Sequence, residues 1–201
     1  MQIRVRPFAP EDETSWVRCR VLSFLDSPYY DNVLTSKERY DNPAVELVAE
    51  VDGTVVGLLD VEYEREPGTV AYKAESDPRT DLGAVIHHVA VHPDFRRQGV
   101  AARLLEEAVR ELRRLGIGFV EAWTRVPGEA VHWYEAQGFR SIYHYLHVYL
   151  NGVGDHKGVV ESQVPRLVPV YTFAHYGGPD REAVKRRFER VYECHLFRRT
   201  I

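Results

Sequence analysis

HPDFRRQGVAARLL, from His92 to Leu105, decides how the rest of the chain is read. An apolar helical run opens there behind two arginines, a glutamine and a glycine. A helix N-terminus is partly positive, so Arg96 and Arg97 are locally unfavourable in front of it. A bound anion removes the conflict. The first amides of a helix have no internal acceptors. Gly99 lacks a Cβ and lets a bulky group approach the backbone. Freed amides and the helix dipole then make an anion seat, to which the guanidinium groups add charge-assisted contacts. The alternative is a solvated turn that is merely basic.

The flanking pattern places this turn between a strand and a helix. AVIHHVAVHP is a strand of mostly β-branched residues ending at Pro93. From Gln98 to Leu115, the residues Val100, Ala101, Leu104, Leu105, Ala108, Val109, Leu112 and Leu115 give a helix with one buried face, stopped by Gly116. Upstream, Gln2 to Arg6 reads as a strand. An amphipathic helix follows from Pro10, with Trp16, Val17, Cys19, Val21 and Phe24 on a wide apolar face. Pro28 breaks it, and TSKERY predicts a short second helix. AVELVAEVDGTVVGLLDVEYE is a hairpin about Asp52-Gly53, and residues 65–83 read as an irregular loop or poor edge strand. Downstream come a strand (GFVEAWT), a short helix from Pro127 to Gly138, and an alternating strand, SIYHYLHVYL. The order predicts a mixed α/β fold around one sheet.

Composition narrows the function classes. A formal net charge of -4 gives no bulk attraction to nucleic acid. No apolar run approaches the roughly 18 residues of a membrane span, and the start lacks the apolar core of a signal peptide. Two cysteines, Cys19 and Cys194, are too few for a disulfide framework, which predicts a cytoplasmic setting. No nucleic-acid partner, membrane partner or metal is expected. His87, His88 and His92 lack helical spacing and cysteine partners.

Arg96-Arg97-Gln98-Gly99-Val100-Ala101 resembles motif A of the GNAT acyltransferase superfamily: Arg or Gln, two residues, Gly, one residue, then Gly or Ala. HHVAVHP is similar to the strand that precedes this motif. AVHWYEAQGF resembles motif B through Ala130, Trp133, Tyr134, Gly138 and Phe139, although Pro127 stands where an Asn often begins that helix. The resemblance implies a mixed, mostly antiparallel twisted sheet flanked by helices over residues 1–150, an acetyltransferase domain. Residues 151–201 lie outside it. They are expected to form a C-terminal extension of loop or strand ending in a basic amphipathic helix, packed on the same domain, with seven Lys or Arg against three Glu between Arg181 and Arg199.

The activity so implied is an acetyl-CoA-dependent N-acetyltransferase. It acts on a primary amine, that of a small molecule, by direct attack in a ternary complex, and it forms a possible homodimer. A non-catalytic acyl-CoA-binding sensor or interaction module is the alternative. The amides of Arg97, Gln98, Gly99, Val100, Ala101 and Ala102 would hold the pyrophosphate, with the Arg96 and Arg97 side chains adding contacts to its oxygens. Val89 and Val91 would pair with pantetheine, and an amide of Val89 or Ala90 would serve the oxyanion. Tyr134 would protonate the departing thiolate. His87 is the proposed base; a hydrogen-bonded structural histidine or a water chain are the alternatives. Strict alternation puts Val85, His87, Val89 and Val91 on one face and Ile86, His88 and Ala90 on the other. For the acceptor, Asp60 and Glu62, with Glu64, form either an acidic pocket or a solvated face. Asp26, Tyr29 and Tyr30, with Asp31, form either a cover on the acceptor site or a packed surface loop.

Overall fold

The computed structural model describes residues 3–73, 80–126 and 128–201. Its elements are β1 (Arg4–Pro7), α1 (Glu13–Phe24), β2 (Ala44–Val51), β3 (Thr54–Tyr63), β4 (Gly83–Val91), α2 (Val100–Arg114), β5 (Phe119–Val126), α3 (Glu129–Ala136), β6 (Arg140–Asn151), α4 (Gly152–His156), β7 (Tyr171–Tyr176), α5 (Arg181–Arg187) and β8 (Arg190–Thr200). One eight-stranded sheet runs β1-β2-β3-β4-β5-β8-β6-β7. Every pair is antiparallel except β4–β5. The expected mixed, mostly antiparallel sheet flanked by helices is present.

Local chemistry explains the elements that matter for the site. Asp52 and Gly53 both take positive φ, 48° and 78°, as the twist of a two-residue hairpin turn requires. In α2 the buried residues Val100, Leu104, Leu105, Ala108, Val109 and Leu112 recur at helical spacing and meet β2, β3 and β4. Gly57 on β3 permits that contact, since a Cβ there would lie 2.6 Å from Val100 Cγ1. Gly116, at φ 77°, ends the helix. A second cluster, built on Trp16, Cys19, Val48, Val55, Leu58 and Ala90, lies under α1 on the other face.

Two expectations fail. TSKERY forms no helix; residues 32–43 carry no regular element. Their side chains reach tertiary partners instead of the next helical turn: Lys37 pairs with Asp60 and Glu46, and Glu38 with His88. The C-terminal helix also stops early. Only Arg181–Arg187 is helical, and Arg190–Thr200 is a strand inserted between β5 and β6. Cys194 and Leu196 face one side of the sheet and Phe197 the other, all buried. That two-sided, period-2 burial overrides the helical reading of RVYECHLFRR. Gln2, at the start of the predicted first strand, and Pro127 lie outside the described residues.

Gly57→Ala is expected to push α2 from the sheet and to destabilise the protein by about 1–3 kcal/mol. Urea unfolding checks this; an unchanged midpoint means that the close approach at Gly57 is not limiting.

Candidate active site

After β4 the chain makes a single turn, Pro93–Phe95, before α2. Arg97 and Gly99 then adopt left-handed conformations, φ 63° and 76°, the backbone geometry from which N–H nests for anions are built. The first bond of α2 runs from the Arg103 N–H to the Gly99 carbonyl, 3.1 Å. The amides of Arg97 through Ala102 therefore donate to no protein group among the described residues. Arg96 has a different occupation. Its guanidinium donates to the Ser23 carbonyl at 2.9 Å, in the last turn of α1, where a cation is favoured. Gln98 is exposed, with Nε2 on the Asp94 carbonyl at 3.3 Å. Val100 is buried in the core, and Ala101 and Ala102 are half-buried.

Above this turn the sheet forks. β4 pairs with β5 only from Gly83↔Phe119 to Ile86↔Ala122. β5 continues to Val126 along β8, and β4 continues to Val91 along β3. The β5-side edge of β4 beyond Ile86, carrying Val89, Ala90 and Val91, faces the gap. A bulge coincides with the fork. Asp60 pairs with His88 and Val61 with Ile86, so His87 is the extra residue. The strict alternation expected for this strand is thereby broken. Ile86, Val89 and Val91 all pack on the α2 side, while Ala90 joins the α1-side cluster. His88 meets Trp16 at 5.4 Å there. His87 bonds Glu62, which lies on that same side, so the two histidines share a face.

Their surroundings separate them chemically. His88 is buried. Arg20 Nε donates to its Nδ1 at 3.4 Å, and its Nε2 meets Glu38 at 2.6 Å. Burial, reinforced by Arg20, pushes its pKa down to about 4. His87 keeps 34% of its ring accessible, with Nε2 on Glu62 Oε2 at 2.7 Å. Tyr40 stacks on it at 4.8 Å. Burial pushes the Glu62 carboxyl up, but the backbone and side-chain N–H of Asn42, and then His87, hold it below the ordinary range. This geometry turns Nδ1 of His87 away from its carboxylate partner.

The carboxylates of Asp60, on β3, and Glu64, just beyond it, are occupied. Asp60 is fully buried, 2.9 Å from Lys37 Nζ and 3.1 Å from the Tyr40 hydroxyl. Burial raises its pKa to about 6 despite Lys37. Glu64 accepts N–H groups from Gly68, Val70, Ala71 and Gly83.

Tyr134, on α3, is buried against Phe139 and Phe197. Burial raises its phenol pKa, with a further push from Tyr29. Tyr29 belongs to the loop between α1 and β2. Its hydroxyl accepts the Arg125 N–H at 2.9 Å. Two arginines pin that loop. Arg125, buried at the end of β5, bonds the Pro28 carbonyl, the Tyr149 hydroxyl and His147. Arg190 pairs with Asp31 at 2.6 Å and stacks on Tyr149 at 3.9 Å and on Tyr30 at 4.9 Å. Asp26 and Tyr30 are exposed. Arg125 and Arg190 were not legible as site residues. Arg190 lies in the stretch whose pattern predicts a helix, and Arg125 lies just past the strand read in GFVEAWT.

Residues 11–139 match the family model described as acetyltransferase (GNAT) family, and the chain belongs to that family. Its members transfer acetyl groups from acetyl-CoA. The chain is 30% identical over 118 residues to acetyltransferase ECA0875 of Pectobacterium atrosepticum, covering 59% of this chain and 70% of that protein. Among solved structures, the ribosomal-protein-S18-alanine N-acetyltransferase of Escherichia coli matches with TM-score 0.59 and 12% identity, over 100% of this chain and 94% of that one. The PaiA N-acetyltransferase of Thermoplasma acidophilum, in complex with coenzyme A, matches with TM-score 0.52 and 15% identity, over 71% and 92%.

His147 supplies a pH test of this region. Burial, then Arg125 and His175, lower its pKa from 6.5 to about 3. Below 6.5 the unfolded chain therefore binds a proton that the folded protein refuses, and stability falls as pH drops from about 6.5 toward 3. His147→Gln, which keeps an acceptor for Arg125, is expected to flatten that slope in urea unfolding between pH 4 and 7.5. An unchanged slope assigns the acid sensitivity elsewhere.

Proposed function

We propose that this acetyltransferase acetylates the primary amine of a small molecule, by direct attack on acetyl-CoA within a ternary complex. The observation that carries the reading is the fork. The edge of β4 that stops pairing with β5 at Ile86 offers the pantetheine a strand to join, through Val89 and Val91. The free amides of Arg97 to Ala102 lie at its foot, where the pyrophosphate binds. Arg97 adds charge to that seat, and Arg96 fixes the turn against α1. The setting is the cytoplasm, where acetyl-CoA and free amines meet.

The chemistry then divides between two sides of the gap. His87 takes the proton from the attacking ammonium through Nδ1, because Glu62 accepts the Nε2–H and fixes the tautomer. The neutral amine adds to the thioester carbonyl. A backbone amide of Val89 or Ala90 donates to the oxyanion. Collapse expels the thiolate, and Tyr134 protonates its sulfur. A raised phenol pKa keeps that proton in place until the thiolate develops. The attacking nitrogen gives up its second proton, which restores the Tyr134 hydroxyl and leaves a neutral amide. His88 is excluded from the base role, since Arg20 and Glu38 engage both of its nitrogens. Family membership among named acetyltransferases favours this over a non-catalytic acyl-CoA-binding module.

Tyr134→Phe is expected to lower kcat by about 10²-fold or more while leaving the KM for acetyl-CoA within a few-fold. Retained turnover removes Tyr134 as the acid. Glu62→Gln is expected to lower kcat about tenfold or more and to change the acid limb of the kcat/KM profile, as is His87→Gln. If the two variants leave that limb where it is, a water chain is the base. Gly99→Val forces a branched side chain into a left-handed position that clashes with no protein atom. Its CoA affinity, by calorimetry, should fall about tenfold or more, whereas stability falls by only about 1–2 kcal/mol.

A further inference from the structure

On the α1 side of the sheet, no helix among the described residues covers β5, β8, β6 and β7, and aromatic side chains stand there instead. Trp123, Leu196 and Tyr143 are directly paired across β5, β8 and β6, as are Arg125, Cys194 and Tyr145. Glu62, Val85 and Glu121 are paired across β3, β4 and β5, so Trp123 lies on the same face as Glu62 and its partner His87. Among these rings is an open, shallow cavity of about 300 Å³, lined by Tyr72, Trp123, Tyr143, Tyr145, His175 and Gly177.

The cavity is built rather than incidental. Tyr72 and Tyr143 stack at 5.1 Å, and each meets Trp123 at about a right angle, 6.2 and 6.1 Å away. Tyr145 meets Trp123 at 5.2 Å and His175 at 4.6 Å. Tyr72 comes from the β3–β4 loop, and its main chain is clamped at both ends. Its N–H donates to Glu121 at 2.8 Å, and its carbonyl accepts from Arg198, which pairs with Glu121.

Its position ties it to the reaction. Trp123 is the first β5 residue beyond Ala122, the last to pair with β4. The cavity therefore begins where the fork opens, one strand residue of about 3.3 Å past it. Its chemistry selects a class of occupant. No charged side chain lines it among the described residues, and burial holds His175 toward its neutral form. A cation would find ring faces but no carboxylate, with Arg125 and Arg198 on the same face. A flat apolar ring finds edge and face partners on several sides, each contact adding about 0.5–1.5 kcal/mol beyond burial.

We infer that this cavity is the acceptor's ring subsite: the acceptor is an amine bearing an aromatic ring, seated against Trp123 and Tyr143, with its nitrogen on a short linker reaching the fork. This deepens the reading given above and rests on it. The ring could belong to a free arylalkylamine or to the N-terminal residue of a peptide.

The test measures CoA release with 2-phenylethylamine, n-butylamine, and the dipeptide amides of Phe-Ala and Ala-Ala. Tyr143→Ala is the variant to compare; Tyr143 is 40% exposed, so its loss is compatible with folding, which circular dichroism verifies. Tyr143→Phe retains the ring. The ring-bearing acceptor of at least one pair is expected to exceed its ringless partner in kcat/KM by about 10- to 100-fold. Tyr143→Ala should reduce that ratio severalfold or more, through KM, and Tyr143→Phe should restore it. The pair that shows the preference identifies the source of the ring. Equal kcat/KM within both pairs, or a ratio unmoved by Tyr143→Ala, overturns the inference while leaving amine acetylation standing. If no amine turns over, acetylation of amines fails instead, and calorimetry with 2-phenylethylamine in the presence of CoA decides the subsite. Binding that weakens in Tyr143→Ala upholds it, and no binding to the wild type overturns it.

Discussion

The molecule is organised by a parallel strand pair that stops early. β4 and β5 are the one parallel pair in the sheet, and they share four residues on each side, Gly83–Ile86 with Phe119–Ala122. Parallel neighbours need a crossover, and α2 supplies it. Its N-terminus therefore begins beside the C-terminal end of β4, where the free amides are. The bulge at His87 strengthens the local twist and turns β4 away from β5. β8 occupies the other edge of β5, and β3 the other edge of β4. Neither strand can close the gap by shifting to a new neighbour.

Opening a sheet in this way exposes polar backbone and needs charged side chains nearby, and the α1 face shows how they are tolerated. Asp60, Glu64 and Glu121 are at most 1% exposed. Each has a cationic or amide partner within hydrogen-bond range. Stripping one partner from a buried ion pair typically costs about 3–5 kcal/mol, because the remaining charge stays desolvated. The 32–43 segment follows from the same need. It brings Lys37, Glu38, Tyr40 and Asn42 to Asp60, His88, His87 and Glu62, so its lack of regular structure is no sign of a loose loop.

Much of the fold was legible because it rests on local signals. The Asp52-Gly53 turn, the helical period of α2, Gly116 and the order of strands through β6 all follow from short-range rules. What escaped has a non-local cause. The β8 strand reads as helix until its two neighbours are known, since only burial on both faces reveals the period of two in RVYECHLFRRT. A one-residue bulge cannot be seen in the run VIHHVAV, yet it moves His87 onto the same side as His88. The candidate site was legible in the same measure. Gly99 and Tyr134 stand out by motif. Arg125 and Trp123 gain significance only because β5 carries them past the fork.

The two arginines that make the His92–Leu105 stretch conspicuous do not share one explanation. Arg96 answers its unfavourable placement with a carbonyl at the end of α1, a partner 73 residues away in sequence. That contact brings the negative end of α1 to the positive start of α2, and it holds the turn without any ligand. Arg97 and the backbone are therefore what remain before the helix to call for an anion. The backbone is the stronger part. Left-handed conformations at Arg97 and Gly99 are unfavourable for the first and natural for the second, and together they give the backbone geometry from which N–H nests for anions are built. A chain that only needed to connect β4 to α2 has no reason to hold an arginine in that conformation. A chain that must present several N–H groups to one anion does.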